Sequence, residues 1–310
     1  NDDKTQNSSV KREGDIIGYH NDGIVKWAGI FYQVEHKNDL ISTFCNITAS
    51  NSAYKRIDYF RKKDLVLPDT TIREALGTSI YFDEYISDTV TVNGVDYTVN
   101  SKEAVASSSN WKWIRGLTIK SGANFNLDEF NNVFFNFGYI SKAPRFNNVY
   151  YYDNSLYREI KNEEVKAVEG GYSYRSSRFS ANVNTYYTVW QNKPSNGGVS
   201  IRIDDVTYRA NINGMNALHK GLEIDWVFKV LNNLSVEGLL SLGDWKWTSS
   251  DTARFLDNNN NPVIDDGGNE VIAAFDAEGV HVGDAAQTQY GFSIRYEPFY
   301  NSYIKLKNTS

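Results

Sequence analysis

Between positions 179 and 190 apolar and polar side chains alternate without a break. Phe179, Ala181, Val183, Thr185, Tyr187 and Val189 fall on one face of an extended chain, and Ser180, Asn182, Asn184, Tyr186, Thr188 and Trp190 fall on the other. That period of two marks a β-strand. The polar face carries asparagines and hydroxyls where a solvated sheet normally carries Lys and Glu. A wall between lipid and a wet, plugged lumen calls for this division, apolar outward and neutral-polar inward. The residues from 163 onward read as the partner strand, joined across a short turn at Ser176 and Ser177.

The same alternation predicts further strands at 24–36, 40–50, 111–125, 132–141, 217–230, 234–247 and 284–297, and the start of another at 303–307. It is clearest at 217–230, where Leu222, Ile224, Trp226 and Phe228 oppose Gly221, Glu223, Asp225 and Val227. Connections alternate in length. Tight turns are expected near Asn38, Asp128, Ser176, Asn232 and Tyr300, and long loops at 51–110, 142–162, 191–216 and 248–283. Within the first long loop the sequence predicts a short helix around 71–76 and a small hairpin at 91–99, turned by Asn93-Gly94, a dipeptide suited to a type I′ turn. So long an excursion is unusual in a compact soluble domain but ordinary outside an outer-membrane barrel, whose tight turns face the periplasm. With that orientation Tyr139, Tyr187 and Tyr290 form an outer aromatic belt, and Phe125, Phe179, Phe228 and Tyr296 an inner one.

The fold class expected is therefore all-β: an antiparallel transmembrane β-barrel, partial, with about ten of its strands in this chain. Mean hydropathy of −0.51 and the lack of any long apolar run exclude a membrane-spanning helix, which needs about 20 apolar residues, yet they are compatible with strands that spread their apolar residues by alternation. A net charge of −6 argues against nucleic acid as a partner. The single Cys45 excludes an intrachain disulfide and a cysteine zinc cage. His20, His36, His219 and His281 have no second ligand at strand or helix spacing, so no metal or other cofactor is expected. No serine elbow or phosphate-cradling glycine loop is present, and the chain is read as a non-enzyme. The polar run from Asn1 to Glu13, without a charged-then-apolar signal segment, and the interrupted strand at the end suggest an internal piece of a longer polypeptide.

Several segments, taken in order, resemble the TonB-dependent outer-membrane receptors. Phe137-Gly138-Tyr139-Ile140-Ser141-Lys142-Ala143-Pro144-Arg145-Phe146 is similar to a family strand ending in an Ala-Pro loop. Lys161-Asn162-Glu163-Glu164 with Glu169-Gly170-Gly171-Tyr172 resembles the strand that follows, and Gly221-Leu222-Glu223 resembles a later Gly-apolar-Glu signature. The resemblance implies one domain over 1–310, part of a barrel of about 22 strands around an N-terminal plug, with 1–23 a loop remnant. It further implies the outer membrane of a Gram-negative bacterium and coupling to the TonB energy-transducing complex through that plug. Outer-membrane lipid and lipopolysaccharide are the implied surroundings. The implied cargo is a large scarce nutrient, with a ferric siderophore ahead of an oligosaccharide; a glycan cargo would bring a surface lipoprotein lid.

Four residues are then candidates for ligand binding: Trp190, Trp245 and Trp247 at the outer lumenal ends of strands, and Arg145 in the loop beyond one. Indole rings can stack on a sugar or siderophore ring, and a guanidinium can pair an anion. Glu223, Asp225 and Glu237 form a lumen-facing charge cluster expected to meet basic residues of a plug. Asp257, Asn259, Asn261, Asp265 and Asp266 are spaced like a calcium loop, but Pro262 takes the place of the required glycine and a solvated loop is favoured. The rival readings are a soluble or surface-attached carbohydrate-binding β-sandwich and a passive porin.

Overall fold

The computed structural model describes residues 13–14, 16, 20–81, 84–150, 154–157, 160–194, 199–203, 206–210, 213–255, 261–283 and 286–310. Ten long strands run in sequence order: β1 Asn21–Lys37, β2 Ile41–Asp58, β3 Lys112–Asn126, β4 Asn131–Lys142, β5 Glu163–Arg175, β6 Phe179–Pro194, β7 Asn213–Leu231, β8 Leu234–Trp247, β9 Thr288–Tyr296 and β10 Ile304–Thr309. Each pairs antiparallel with its sequence neighbours in one sheet, and β1 and β10 remain its open edges. The expected number of strands and their antiparallel order hold. A sandwich is excluded, because among the described residues no second sheet packs on this one and the apolar face of the wall is bare.

Short polar turns set the register. In the β1–β2 turn the Asn38 carboxamide oxygen accepts the backbone N–H groups of Leu40 and Ile41 at 3.0 and 2.8 Å. In the β3–β4 turn Asp128 accepts those of Phe130 and Asn131, each at 2.8 Å. Ser176 does the same for the β5–β6 turn through Phe179. These side chains satisfy backbone groups that the ladder leaves open at its ends.

Register then assigns faces. Val183, for example, pairs with Tyr172 and Ile224, and Tyr172 with Val133, all outward. Phe125, Phe179, Phe228 and Tyr296 are exposed on that face toward the turns, and Tyr187 and Tyr290 are exposed nearer the loops, while Tyr139 is half-buried. On the lumenal face several rings lie flat over glycines. The ring of Phe134 covers Gly171, and that of Tyr186 covers Gly221.

Three expectations are corrected. β2 continues to Asp58, because 51–58 pairs on one side with β1 and on the other with the start of β3 and with Ser107–Ser108. The first long loop thus begins at 59. Likewise β6 runs to Pro194 and β7 begins at Asn213, with an irregular register between them, so the loop expected at 191–216 is shorter. Finally, Thr71–Leu76 is a strand paired with Lys63–Val66. The Asp64 carboxylate there accepts the Glu74 backbone N–H and pairs with Arg73, and Glu74 has φ of 49°, outside the helical range. The expected hairpin does form, Val90–Val92 against Val95–Tyr97, with Asn93 and Gly94 at φ of 51° and 80°.

Candidate functional site

The loops build two lobes over the lumenal ends of the wall. In the first, the segment after β4 folds inward onto β1–β3. Tyr54, Val149 and Tyr150 form its buried core, with Phe146 against it. The Tyr54 hydroxyl donates to the Pro144 carbonyl at 3.1 Å, and the Tyr150 hydroxyl donates to the Tyr54 and Asn110 carbonyls at 2.6 and 2.9 Å. Burial raises the Tyr150 phenol above its ordinary range. Arg56, buried and paired with Asp58 at 3.0 Å, also donates to the Asn154 carboxamide at 2.7 Å, tying the segment after β4 to the end of β2. Phe146 lies 3.0 Å from where a Cβ on Gly23 would be, so a side chain at that position would collide with the lobe.

The second lobe joins the hairpin Val199–Ile203/Val206–Ala210 to the hairpin Asp251–Arg254/Ile272–Phe275. Met215, Ala253, Phe255, Val263 and Ala277 are its buried core, and Trp247 packs against it from the wall.

Beneath this lobe the rows of β6, β7 and β8 bring three of the predicted residues together. Trp190 pairs with Ala217, which pairs with Trp247; one row deeper, Thr188 pairs with His219, which pairs with Trp245. The small, fully buried Ala217 leaves room between two indoles. His219 stacks on Trp245 at 5.2 Å with 14° between planes and meets Trp190 at 5.8 Å. The Trp245 indole N–H donates to the Tyr186 hydroxyl at 2.8 Å, and that of Trp190 to Glu163 at 2.6 Å. Glu163 is itself buried and paired with Lys142 at 2.6 Å.

A β-bulge supplies the charge. Trp190 pairs with Ala217 and Lys193 with Met215, so β6 spends three steps where β7 spends two. Asn192, with φ of 53°, absorbs the extra residue. Without the bulge Lys193 would lie on the face opposite Trp190. With it, the ammonium sits over Trp190 at 4.4 Å and Trp247 at 5.3 Å from the ring centres, the geometry of a cation–π pair. The His219 Nε2 atom is buried and has no hydrogen-bond partner among the described residues.

The other predictions separate from this cluster. Arg145 is exposed at the start of the turn Phe146–Asn148 in the first lobe, and among the described residues no contact joins it to the tryptophans. Register keeps the acidic cluster on the lumenal face, with Glu223 and Asp225 exposed there. Glu237 is held by Lys305 on β10 at 2.5 Å and by Ser293 on β9 at 2.9 Å, and Asp225 accepts from Asn182 on β6 at 2.8 Å. Glu223 lies opposite Asn184 and Ser241. Glu237 and Asp225 are thus met by donors of the wall itself, on strands no more than two away. Of the calcium-like loop, Asp257 and Asn259 lie outside the described residues, and Asp265 is engaged by the backbone N–H groups of Gly267 and Asn269, which hold its carboxyl below the usual range, Asn269 foremost.

The arrangement can hold a ligand by ring contact, one ammonium and one unpartnered imidazole nitrogen. It pairs no nucleophile with a base.

A family model described as TonB dependent receptor-like, beta-barrel, matches residues 56–307. A comparison with curated proteins finds no match. Among solved structures, the copper transporter OprC is similar at a TM-score of 0.52 and 11% identity, over 90% of this chain and 34% of that one. The closed form of the ferric-catecholate import receptor Fiu from E. coli K12 is similar at a TM-score of 0.51 and 13% identity, over 95% and 35%. The chain thus spans about a third of the length of these structures.

Proposed function

We infer function from one premise: the chain belongs to the TonB-dependent receptor β-barrel family. On our reading it forms the substrate-facing wall and two loop lobes of an outer-membrane receptor that takes up a scarce nutrient, driven by the TonB complex acting on a plug. The loops at 59–111, 143–162, 195–212 and 248–287 face the outside, and the whole chain is part of one barrel domain.

The observation that carries the cargo class is Lys193, brought by the bulge onto the lumenal face beside Trp190, Trp247 and His219. A fixed ammonium among rings favours an anionic, ring-bearing ligand, and a ferric siderophore fits better than a neutral oligosaccharide. Sugar stacking needs a free indole face. One face of Trp190 is covered by Lys193, and one of Trp245 by His219. The relatives' names, a copper transporter and a ferric-catecholate receptor, agree with metal-bearing cargo. Arg145 is assigned a peripheral role at the first lobe.

The test is uptake of radiolabelled ferric siderophores by cells carrying the full-length receptor. Lys193→Ala is expected to weaken binding of the true cargo by about tenfold, the size of one charge-assisted contact, with normal protein in the outer membrane. Uptake of neutral oligosaccharide that depends on the receptor and ignores Lys193 would contradict the reading.

A further inference from the structure

The bulge that delivers Lys193 has a counterpart on the facing strand. From Trp190 to Lys193, β6 takes three steps against two on β7; from Lys193 to Pro194 it takes one against two, because Lys193 pairs with Met215 and Pro194 with Asn213. The two irregularities cancel. Trp190 to Pro194 and Ala217 to Asn213 are each four steps, so the rows on either side keep the pairing of an undisturbed ladder. Inside this window each strand places one residue in the left-handed region, Asn192 on β6 with φ of 53° and Gly214 on β7 with φ of 119°.

A regular ladder through the same window would set Asn192 opposite Met215 on the lumenal face and Lys193 opposite Gly214 on the outward one. The paired bulges exchange these two β6 residues and leave the flanking rows in register. Asparagine is among the few residues with a side chain that visit this backbone region, and glycine enters it without steric cost. A Cβ on Gly214 would meet only the Asn192 carboxamide oxygen, at 3.9 Å. A side chain there would therefore be opposed by the backbone angle and not by packing.

Four hydrogen bonds fix the exchanged arrangement. The Asn192 side-chain amide donates to the Asn162 carbonyl at 3.0 Å, just before β5, and its backbone N–H donates to the Asn216 carboxamide oxygen at 3.1 Å. Asn216 in turn donates its backbone N–H to the Ser249 hydroxyl and accepts the Thr248 backbone N–H, each at 2.8 Å. Thr248 and Ser249 lead from Trp247 into the second-lobe hairpin that begins at Asp251, and Met215, beside Gly214, is buried in that lobe's core. Asn216 thus joins the bulge to the root of the lobe.

We propose that Gly214 and Asn216 are positioning residues of the ligand site: Gly214 permits the exchange that turns Lys193 to the lumen, and Asn216 locks it from the root of the second lobe. Their effect on cargo runs through the placement of the Lys193 ammonium. The inference rests on the reading of Lys193 as a cargo contact and adds what determines its face.

The test takes two readouts from the full-length receptor purified from outer membranes in neutral detergent. The first reports placement without cargo. A bimane label on Lys193→Cys, as the sole cysteine, should be quenched by the neighbouring indoles. That quenching should be lost with Trp190→Phe and Trp247→Phe together, lost with Gly214→Val, and reduced with Asn216→Ala. The second readout is binding of a radiolabelled ferric triscatecholate. Gly214→Val should weaken it about tenfold, as Lys193→Ala does, and the two combined should weaken it no further. Adding Asn192→Lys with Lys193→Asn to Gly214→Val should restore binding, because a regular ladder turns position 192 to the lumen; a merely structural glycine would give no such rescue. Quenching that survives Gly214→Val, or a loss of binding that the exchange does not restore, would overturn the proposal. Quenching that follows the variants while binding ignores Lys193 and Gly214 alike would uphold the placement and sink the cargo reading instead.

Discussion

Gly170 and Gly171 are neighbours in sequence and opposites in environment. A Cβ on Gly171 would strike the Phe134 ring and stand 2.8 Å from the Val183 carbonyl, whereas one on Gly170 would find its nearest atoms at 3.7 and 3.8 Å. The sheet pleat explains the difference, since one position faces the crowded lumenal surface and the other faces outward. Gly171→Ala should therefore cost about 2 kcal/mol, the scale of overpacking a filled site, and Gly170→Ala little. Urea unfolding of the full-length receptor in detergent would separate them. Equal losses would contradict the assignment of faces. At this scale the sequence was only partly informative. Trp190, Trp245 and Trp247 are legible by alternation alone, but Tyr186, His219, Glu163 and Lys193, which complete their cluster, are contributed by pairing. Gly221, visible in a motif, is what lets Tyr186 lie close enough to receive the Trp245 indole N–H.

Hairpins are the element that local sequence specifies best, through Asn38, Asp128 and Ser176. Asp128 offers a test by pH. The Phe130 backbone N–H, and next the Asn131 side chain, hold its carboxyl below the usual aspartate range. A depressed carboxyl contributes stability that is fully present above the unfolded value of about 3.9 and is lost as pH falls through the folded value. Asp128→Ala should accordingly lower the unfolding midpoint at pH 7, and the gap should close in acid below about pH 3.9. A gap constant from pH 7 to pH 2 would show that the charge is not what holds the turn. Longer connections were less legible. The strand at Thr71–Leu76 was expected to be helical because Arg73 to Leu76 are good helix formers, but pairing with Lys63–Val66 and the buried Asp64 overrode propensity. The bulge at Asn192 left no mark in the hydrophobic pattern, and so Lys193 was placed in a loop.

For the whole molecule, the central claim is that one sheet separates lipid from a wet lumen. Strand count, order and the division of faces could be read from alternation because each strand is long and its period is unambiguous. What alternation could not supply was the stagger between strands, which decides which charges share a level and which side chains meet beneath the second lobe. The most direct measurement is a cysteine scan of positions 180–189 in the full-length receptor in intact outer membranes, with Cys45→Ser as background and a membrane-impermeant thiol reagent as probe. The account predicts period-two labelling: positions 182, 184 and 188 react, and 181, 183, 185 and 187 stay protected until the bilayer is dissolved. Uniform labelling along the strand, or protection on the asparagine face, would contradict it.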